Sequence, residues 1–276
     1  MENQLYYQTL EPNSFGLLNE VMGSKPLQDA GFSLAGGTAL ALQLGHRMST
    51  DLDLFSPKPF DPRQMQDVMR GIFGNRIEFQ SINELGFRGF VDGVKFDMIH
   101  YPFPPKQPVV EADGIRMLSV ETISAMKVHA VANRGLRRDF TDLAEILQRI
   151  PLKDVLVQYH QQFTPSPTAF RHTMQAMTYF GDAERTPQKI AMLNDRSWDS
   201  VKKIIQTSVS NPSVVNRQAA PLTVKPTNPH RPKSTLATAN TGIKPTVATT
   251  TAAPRNTVAR SAVNVQKKSL SGQVKR

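Results

Sequence analysis

The sequence predicts an α/β (α+β) protein: a half in which short strands alternate with helices, packed against a mostly helical half and followed by a tail. Three observations predict it. Short apolar runs with β spacing recur between residues 32 and 101 with helical stretches among them, and from residue 119 onward the periodicity is helical. The double glycine Gly36-Gly37 and the run Asp51-Leu52-Asp53-Leu54-Phe55 place a helix start and a half-polar strand close together in the chain. Residues 206–276 hold 11 Lys and Arg, no acid and no Phe, Trp or Tyr, a composition that cannot offset the entropy of ordering. The divisions are 1–118 for the α/β core, 119–205 for the helical part and 206–276 for a disordered basic tail.

The elements follow in order. Residues 14–23 read as a short amphipathic helix entered from Pro12-Asn13-Ser14. Residues 32–35 form a strand that ends at the glycines, and 38–44 a helix whose N-terminus faces the glycine turn. The second strand is 51–55, closed by Pro57 and Pro59. Asp61-Pro62 then opens a helix to about residue 73, with Pro at its first position. Strands follow at 76–81, 86–91 and 94–101, the last two joined by the hairpin signal Asp92-Gly93. Residues 102–108 read as an extended linker. Helices are predicted at 120–133, 139–149, 152–163, 166–179 and 187–205.

Charge accounting limits what the basic balance can mean. The net charge of +10 splits into −1 over residues 1–205 and +11 over residues 206–276. The basicity belongs to the tail, so it is no evidence for a basic nucleic-acid-binding fold. The spaced Lys and Arg of the tail could contact RNA phosphates loosely, or form a solvated tail with no specific partner. There is no cysteine, which excludes disulfides, Cys-ligated zinc and a thiol nucleophile. No export signal and no apolar stretch of membrane length is present, so the expectation is a cytoplasmic protein with no membrane partner.

The chemistry concentrates at the glycines and the Asp-x-Asp strand. Glycine lets a backbone approach phosphates that a Cβ would fend off, and a helix N-terminus there favours anions. Asp51 and Asp53, at i and i+2 on a strand, share one face about 6.5–7 Å apart, close enough to share a divalent cation, while Leu52 and Leu54 point to a core. Asp97, alone among Phe96, Met98 and Ile99, is either a third ligand on that face or a rim carboxylate in contact with water or Lys95. Lys127 and Arg134, seven residues apart, lie on nearly one helix face; Lys127 could reach a phosphate chain or snorkel to solvent. Asp139 could cap a helix, with Asp142 in its first turn. His46, just before the Asp-x-Asp strand, could line the pocket; the six histidines show no metal-ligand spacing. No Walker loop, dinucleotide fingerprint or Gly-x-Ser-x-Gly elbow is present.

Gly36-Gly37-Thr38-Ala39-Leu40, His46-Arg47 with Ser49, Asp51-Leu52-Asp53-Leu54-Phe55, Lys127, Arg134 and Arg138-Asp139-Phe140-Thr141-Asp142-Leu143 together resemble the AbiEii/AbiGii-type toxin nucleotidyltransferases of the polymerase-β-like superfamily. The resemblance implies a nucleotidyltransferase mixed β-sheet flanked by helices. It also implies transfer of a nucleotide from an NTP, with Mg²⁺ or Mn²⁺ as cofactor and pyrophosphate leaving. By motif, Asp51, Asp53, Lys127 and Asp139 are the implied catalytic residues, and Asp51, Asp53 and Asp97 the metal ligands. Gly36, Gly37, Thr38, Arg47, Ser49, Lys127 and Arg134 would bind the nucleotide, with Asp142 in support. The family acts in toxin–antitoxin or phage-defence systems, which implies a cognate antitoxin and an acceptor such as the 3′ end of tRNA. A protein or small-molecule acceptor, or a non-catalytic nucleotide-binding module, stays open as an alternative.

Overall fold

The computed structural model describes residues 4–185 and 189–215. The predicted tail from residue 216 onward lies outside the described residues, as do residues 186–188.

A mixed sheet of seven strands organises the first half, in the order β3-β4-β5-β2-β1-β7-β6. Helix α1 (Pro12–Gly23) and a short α2 (Lys25–Asp29) lead into strand β1 (Ser33–Ala35). Helix α3 (Gly36–Leu44) starts at once, because Gly36 adopts φ +64 and turns the chain without a connecting loop. Strand β2 (Leu52–Ser56) returns antiparallel to β1, with Ala35 opposite Asp53. Helix α4 (Pro62–Phe73) carries the predicted cap: the Asp61 carboxylate accepts from the backbone N–H of Arg63 at 2.8 Å, with Pro62 at the first position.

Strands β3 (Ile77–Asn83), β4 (Gly86–Val91) and β5 (Val94–His100) form a meander. The Asp92-Gly93 turn has φ of +49 and +77, the left-handed pair a tight hairpin requires, and it fixes the register so that Arg88 faces Asp97. Strand β5 then lies parallel to β2 and sets Asp97 beside Asp53. A second hairpin, β6 (Val110–Ala112) and β7 (Ile115–Met117), turns at Asp113-Gly114 with φ of +51 and +77 and adds to β1 in parallel. The sequence reading left 109–118 unassigned, although this turn carries the same signal as Asp92-Gly93.

Period-two alternation gives the sheet its two characters. Leu52, Leu54, Phe96 and Met98 are fully buried with Leu34, Leu40 and Leu42, while Asp53, Phe55, Lys95 and Ile99 on the alternate face are half-buried. The second half is helical, with α5 (Val120–Asn133), α6 (Arg137–Leu147), α7 (Leu152–Phe163), α8 (Pro167–Ala176), α9 (Gly181–Arg185) and α10 (Trp198–Ser210); α5 packs on α3, α6, α7 and α8, and α6 on α10. Two expectations need correction. Helix α6 starts at Arg137 with Leu136 as its cap residue, so Asp139 lies in the first turn and is not the cap. Of the helix predicted over 187–205, the described part begins at Trp198 and continues to Ser210, so residues 206–210 are helix and not the start of the predicted disordered tail; residues 191–193 pair instead with residues 46–48. Met48 N–H donates to Ala191 O at 2.8 Å and Leu193 N–H to His46 O at 2.9 Å.

Leu54 is fully buried at the centre of the strand that carries the Asp-x-Asp pair. Leu54→Ala is expected to cost about 2–5 kcal/mol of folding stability by lost transfer energy and cavity formation, measured by urea denaturation.

Candidate active site

Strand β1 delivers the chain to Gly36 directly opposite Asp53, and the carboxylate of Asp53 lies against the glycine backbone. An ideal Cβ on Gly36 would stand 2.0 Å from Asp53 Oδ2, and one on Gly37 would stand 2.2 Å from Arg47 Nη2. Both glycines are therefore required by the side chains packed on them as well as by the helix start. Thr38, in the first turn of α3, donates its hydroxyl to the backbone carbonyl of Asp51. Its one proton is thereby used, so Ser49 is the donor in the 2.8 Å contact between the two hydroxyls. These bonds pin the loop before β2 to the start of α3.

Three carboxylates share the polar face of the sheet. Asp53 and Asp97 are register neighbours on parallel strands, and Asp51 precedes Asp53 by two. Burial, followed by the charge of Asp97, raises the Asp53 carboxyl to about 6; Lys127 and Lys95 offset this only in part. Lys95 Nζ lies 3.2 Å from Asp51 Oδ2 and 3.8 Å from Asp97 Oδ1. Arg88 approaches Asp97 Oδ2 at 3.7 Å. Asp97 Oδ1 is buried and accepts no hydrogen bond.

Helix α6 answers with a row of buried acids, Asp139, Asp142 and Glu145, spaced by three residues on one face. Asp142 accepts from His46 Nε2 at 2.9 Å, Arg47 Nε at 2.6 Å and Arg47 Nη2 at 2.9 Å, and is ion-paired with Lys127 Nζ at 2.7 Å. Burial alone would raise its pKa, but Arg47, Lys127 and these hydrogen bonds hold it well below the ordinary carboxylate range. Asp139 takes a forked pair of bonds from Arg134, both 2.8 Å, and Lys127 Nζ at 3.3 Å. It too is held low, Arg134 and Lys127 outweighing burial. Glu145 binds Arg149 at 2.6 Å, Asn194 at 3.0 Å and Arg196 at 3.2 Å, which fastens the 189–197 segment. His46 is lowered by burial against the pull of Asp142, so it is a neutral imidazole donating Nε2–H.

A cavity of about 920 Å³ opens between these groups. Gly36, Gly37, Thr38, Arg47, Ser49, Asp51, Asp53, Asp97, Lys127 and Arg134 all line it, so the predicted residues from β2, β5, α3 and α5 converge. Asp139, Asp142 and His46 do not. They are completely buried behind Lys127, Arg134 and Arg47, so the expectation that His46 lines the pocket is corrected. Lys127 is no snorkelling surface lysine either, its side chain being only 7% exposed. The sequence reading missed Phe55 and Arg88 as lining residues, although both were legible: Phe55 by strand alternation from Asp53, and Arg88 by hairpin register. Lys189, which also lines the cavity, had no sequence signal.

A helix start open to anions, a carboxylate-bearing sheet face and buried cations around one cleft define an enzyme of phosphoanhydride chemistry. The family model described as "Nucleotidyl transferase AbiEii toxin, Type IV TA system" matches residues 20–200, which include the carboxylates, both glycines, α5 and α6. The chain belongs to this family and is a nucleotidyltransferase. It is 30% identical over 184 residues to the uncharacterized protein aq_aa25 of Aquifex aeolicus (strain VF5), covering 64% of this chain and 86% of that one. Among solved structures, it is similar to JHP933 from Helicobacter pylori, with 16% identity, 72% and 89% of the two chains covered and a TM-score of 0.44. It is also similar to MenT4, a nucleotidyltransferase toxin from Mycobacterium tuberculosis H37Rv, with 16% identity, 65% and 75% covered and a TM-score of 0.39. Among the described residues, no helix is long and apolar enough to cross a membrane.

A carboxylate whose folded pKa lies below its unfolded value adds stability above the unfolded pKa and loses it as pH falls through the folded one. For Asp142, that contribution is complete above about pH 4 and fades below it. Asp142→Asn leaves Arg47 and Lys127 short of a buried counter-charge. It is expected to cost about 3–5 kcal/mol at pH 7 and to flatten the acid side of the stability profile. Urea denaturation across pH 2.5–7 checks both; parallel acid limbs for the two proteins would contradict the assignment.

Proposed function

We propose that this nucleotidyltransferase transfers a nucleotidyl group from an NTP to the 3′ end of tRNA, as the toxin of a toxin–antitoxin pair acting in the cytoplasm. The observation that carries the reading is the register of Asp53 beside Asp97 on parallel strands, facing the Gly36–Gly37 helix start across a cleft that Lys127 also lines.

In this reading a hydroxyl oxygen of the acceptor gives up its proton to solvent and bonds to the α-phosphorus, the α–β phosphoanhydride bond breaks, and pyrophosphate carries away the electron pair. Gly36, Gly37 and Thr38 present the α3 N-terminus to the phosphates, where partial positive charge favours them. The Lys127 ammonium donates to Asp139 and is ion-paired with Asp142, which fixes its charge at the cleft wall, where it would meet the β- and γ-phosphates. Arg134 and Arg47, held by the same acids, add positive charge at the cleft wall, and Ser49 fixes Thr38. Asp139 and Asp142 are positioning residues, acting through the cations they hold.

Asp51, Asp53 and Asp97 would hold Mg²⁺ or Mn²⁺. Their oxygen donors suit a hard divalent cation, Asp97 Oδ1 accepts no hydrogen bond, and the Asp53 carboxyl is raised by burial and then by the charge of Asp97. Among the described residues, no group of three His, Asp or Glu side chains is already gathered into a cation cage, and Lys95 supplies the positive charge between Asp51 and Asp97. Such a cation, once bound, neutralises developing charge on the attacking and leaving oxygens. The family description supports a cognate antitoxin as partner.

The test is incorporation of labelled NTPs into total tRNA with and without Mg²⁺. Asp53→Ala is expected to reduce labelling to background. Lys127→Ala, losing one positioned charge, is expected to reduce it by on the order of 10²–10³. Equal labelling by wild type and Asp53→Ala overturns the reading. Labelled bands that survive ribonuclease would move the acceptor to a protein.

A further inference from the structure

The cavity wall beyond the carboxylates is aromatic. The alternation that places Asp51 and Asp53 on the cavity face of β2 places Phe55 there next; on β5 Asp97 is followed by Ile99 and, just past the strand, by Tyr101. All three line the cavity. The rings of Phe55 and Tyr101 are stacked, with centroids 4.9 Å apart and planes at 24°. Met126 and His129 of α5 line the same cavity. The His129 imidazole lies flat on Phe163 at 4.3 Å and 3°, and its Nδ1 is buried without a hydrogen-bond partner. Burial lowers the His129 pKa, so the ring is neutral near pH 7 and one nitrogen is an acceptor.

A packing role alone does not account for this group. The apolar side chains of the sheet's other face are fully buried, whereas Phe55, Ile99, Tyr101, Met126 and His129 are all half-buried at an open cleft. The phosphate and carboxylate chemistry described above uses none of them. A flat, partly exposed, apolar surface is matched by a planar heterocycle that stacks on it.

We propose that Phe55, Ile99, Tyr101, Met126 and His129 form a nucleobase shelf, on which a base stacks against the Phe55–Tyr101 pair with Met126 and His129 alongside. The proposal rests on the nucleotidyl-transfer reading, and it names the part of the cleft that handles the base. The base belongs either to the incoming NTP or to the terminal nucleotide of an RNA acceptor.

Calorimetric titration of the full chain separates these sources, with three probes: each NTP, inorganic tripolyphosphate and a single-stranded RNA oligonucleotide. Phe55→Leu keeps apolar bulk but loses the ring; Phe55→Tyr keeps both; His129→Ala is an independent variant should Phe55→Leu fail to fold by circular dichroism. Phe55→Leu is expected to weaken NTP binding by on the order of ten- to a hundredfold. Tripolyphosphate binding should change by less than about twofold, and Phe55→Tyr should restore NTP binding. The same loss confined to RNA assigns the shelf to the acceptor base. Unchanged binding of both NTP and RNA by Phe55→Leu, or by His129→Ala in its place, overturns the shelf. That result beside an inactive Asp53→Ala removes the shelf and leaves the transfer reading standing. Base binding that depends on Phe55 in a protein that labels no acceptor keeps the shelf and removes the transfer reading.

Discussion

Asp142 accepts three hydrogen bonds and is ion-paired with Lys127, and these partners come from separate parts of the chain. His46 and Arg47 belong to the loop after α3, Lys127 to α5, and Asp142 itself to α6. A carboxylate without solvent contact would be costly to ionise alone. Here it forces three elements into one arrangement, because each donor it loses leaves a charge uncompensated. The placement of Gly37 follows from the same constraint, since Arg47 can reach Asp142 only across a residue with no side chain. Asp139 repeats the device for Arg134, and Glu145 for Arg196, so α6 acts as an anionic spine along the back of the cleft.

The front of the cleft has the opposite problem. Asp51, Asp53 and Asp97 are brought together by strand register, and Lys95, Arg88 and the more distant Lys127, Arg134 and Arg47 offset them. Positive charge is over-committed at the back and negative charge is crowded at the front. A polyphosphate and a divalent cation together would complete both sets at once.

Much of this was legible because it is local. The Gly36-Gly37 turn, the Asp61-Pro62 helix start, the Asp92-Gly93 hairpin and the alternation Asp51 to Phe55 each depend on a few neighbouring residues, and each was read with its bounds nearly right. Asp139 and Asp142 were read as near the site. Their place behind the cations was not, because it depends on how α5 and α6 pack. The 189–197 segment was misread as helix for a similar reason. Its course is decided by backbone pairing with residues 46–48 and by Glu145, far away in sequence. The β6–β7 hairpin is different: Asp113-Gly114 carried the signal, and the flanking three-residue strands were too short to show alternation.

That pairing between residues 46–48 and 191–193 has a consequence for the order in which the molecule is made. The carboxylates and the glycine turn leave the ribosome early, but the wall formed by Lys189, Ile190 and Ala191 and the Arg196 partner of Glu145 come some 140 residues later. A nascent chain that has exposed both β2 and α6 still has Glu145 without two of its partners and an unpaired strand edge at Arg47. The cleft therefore closes only when synthesis nears α10.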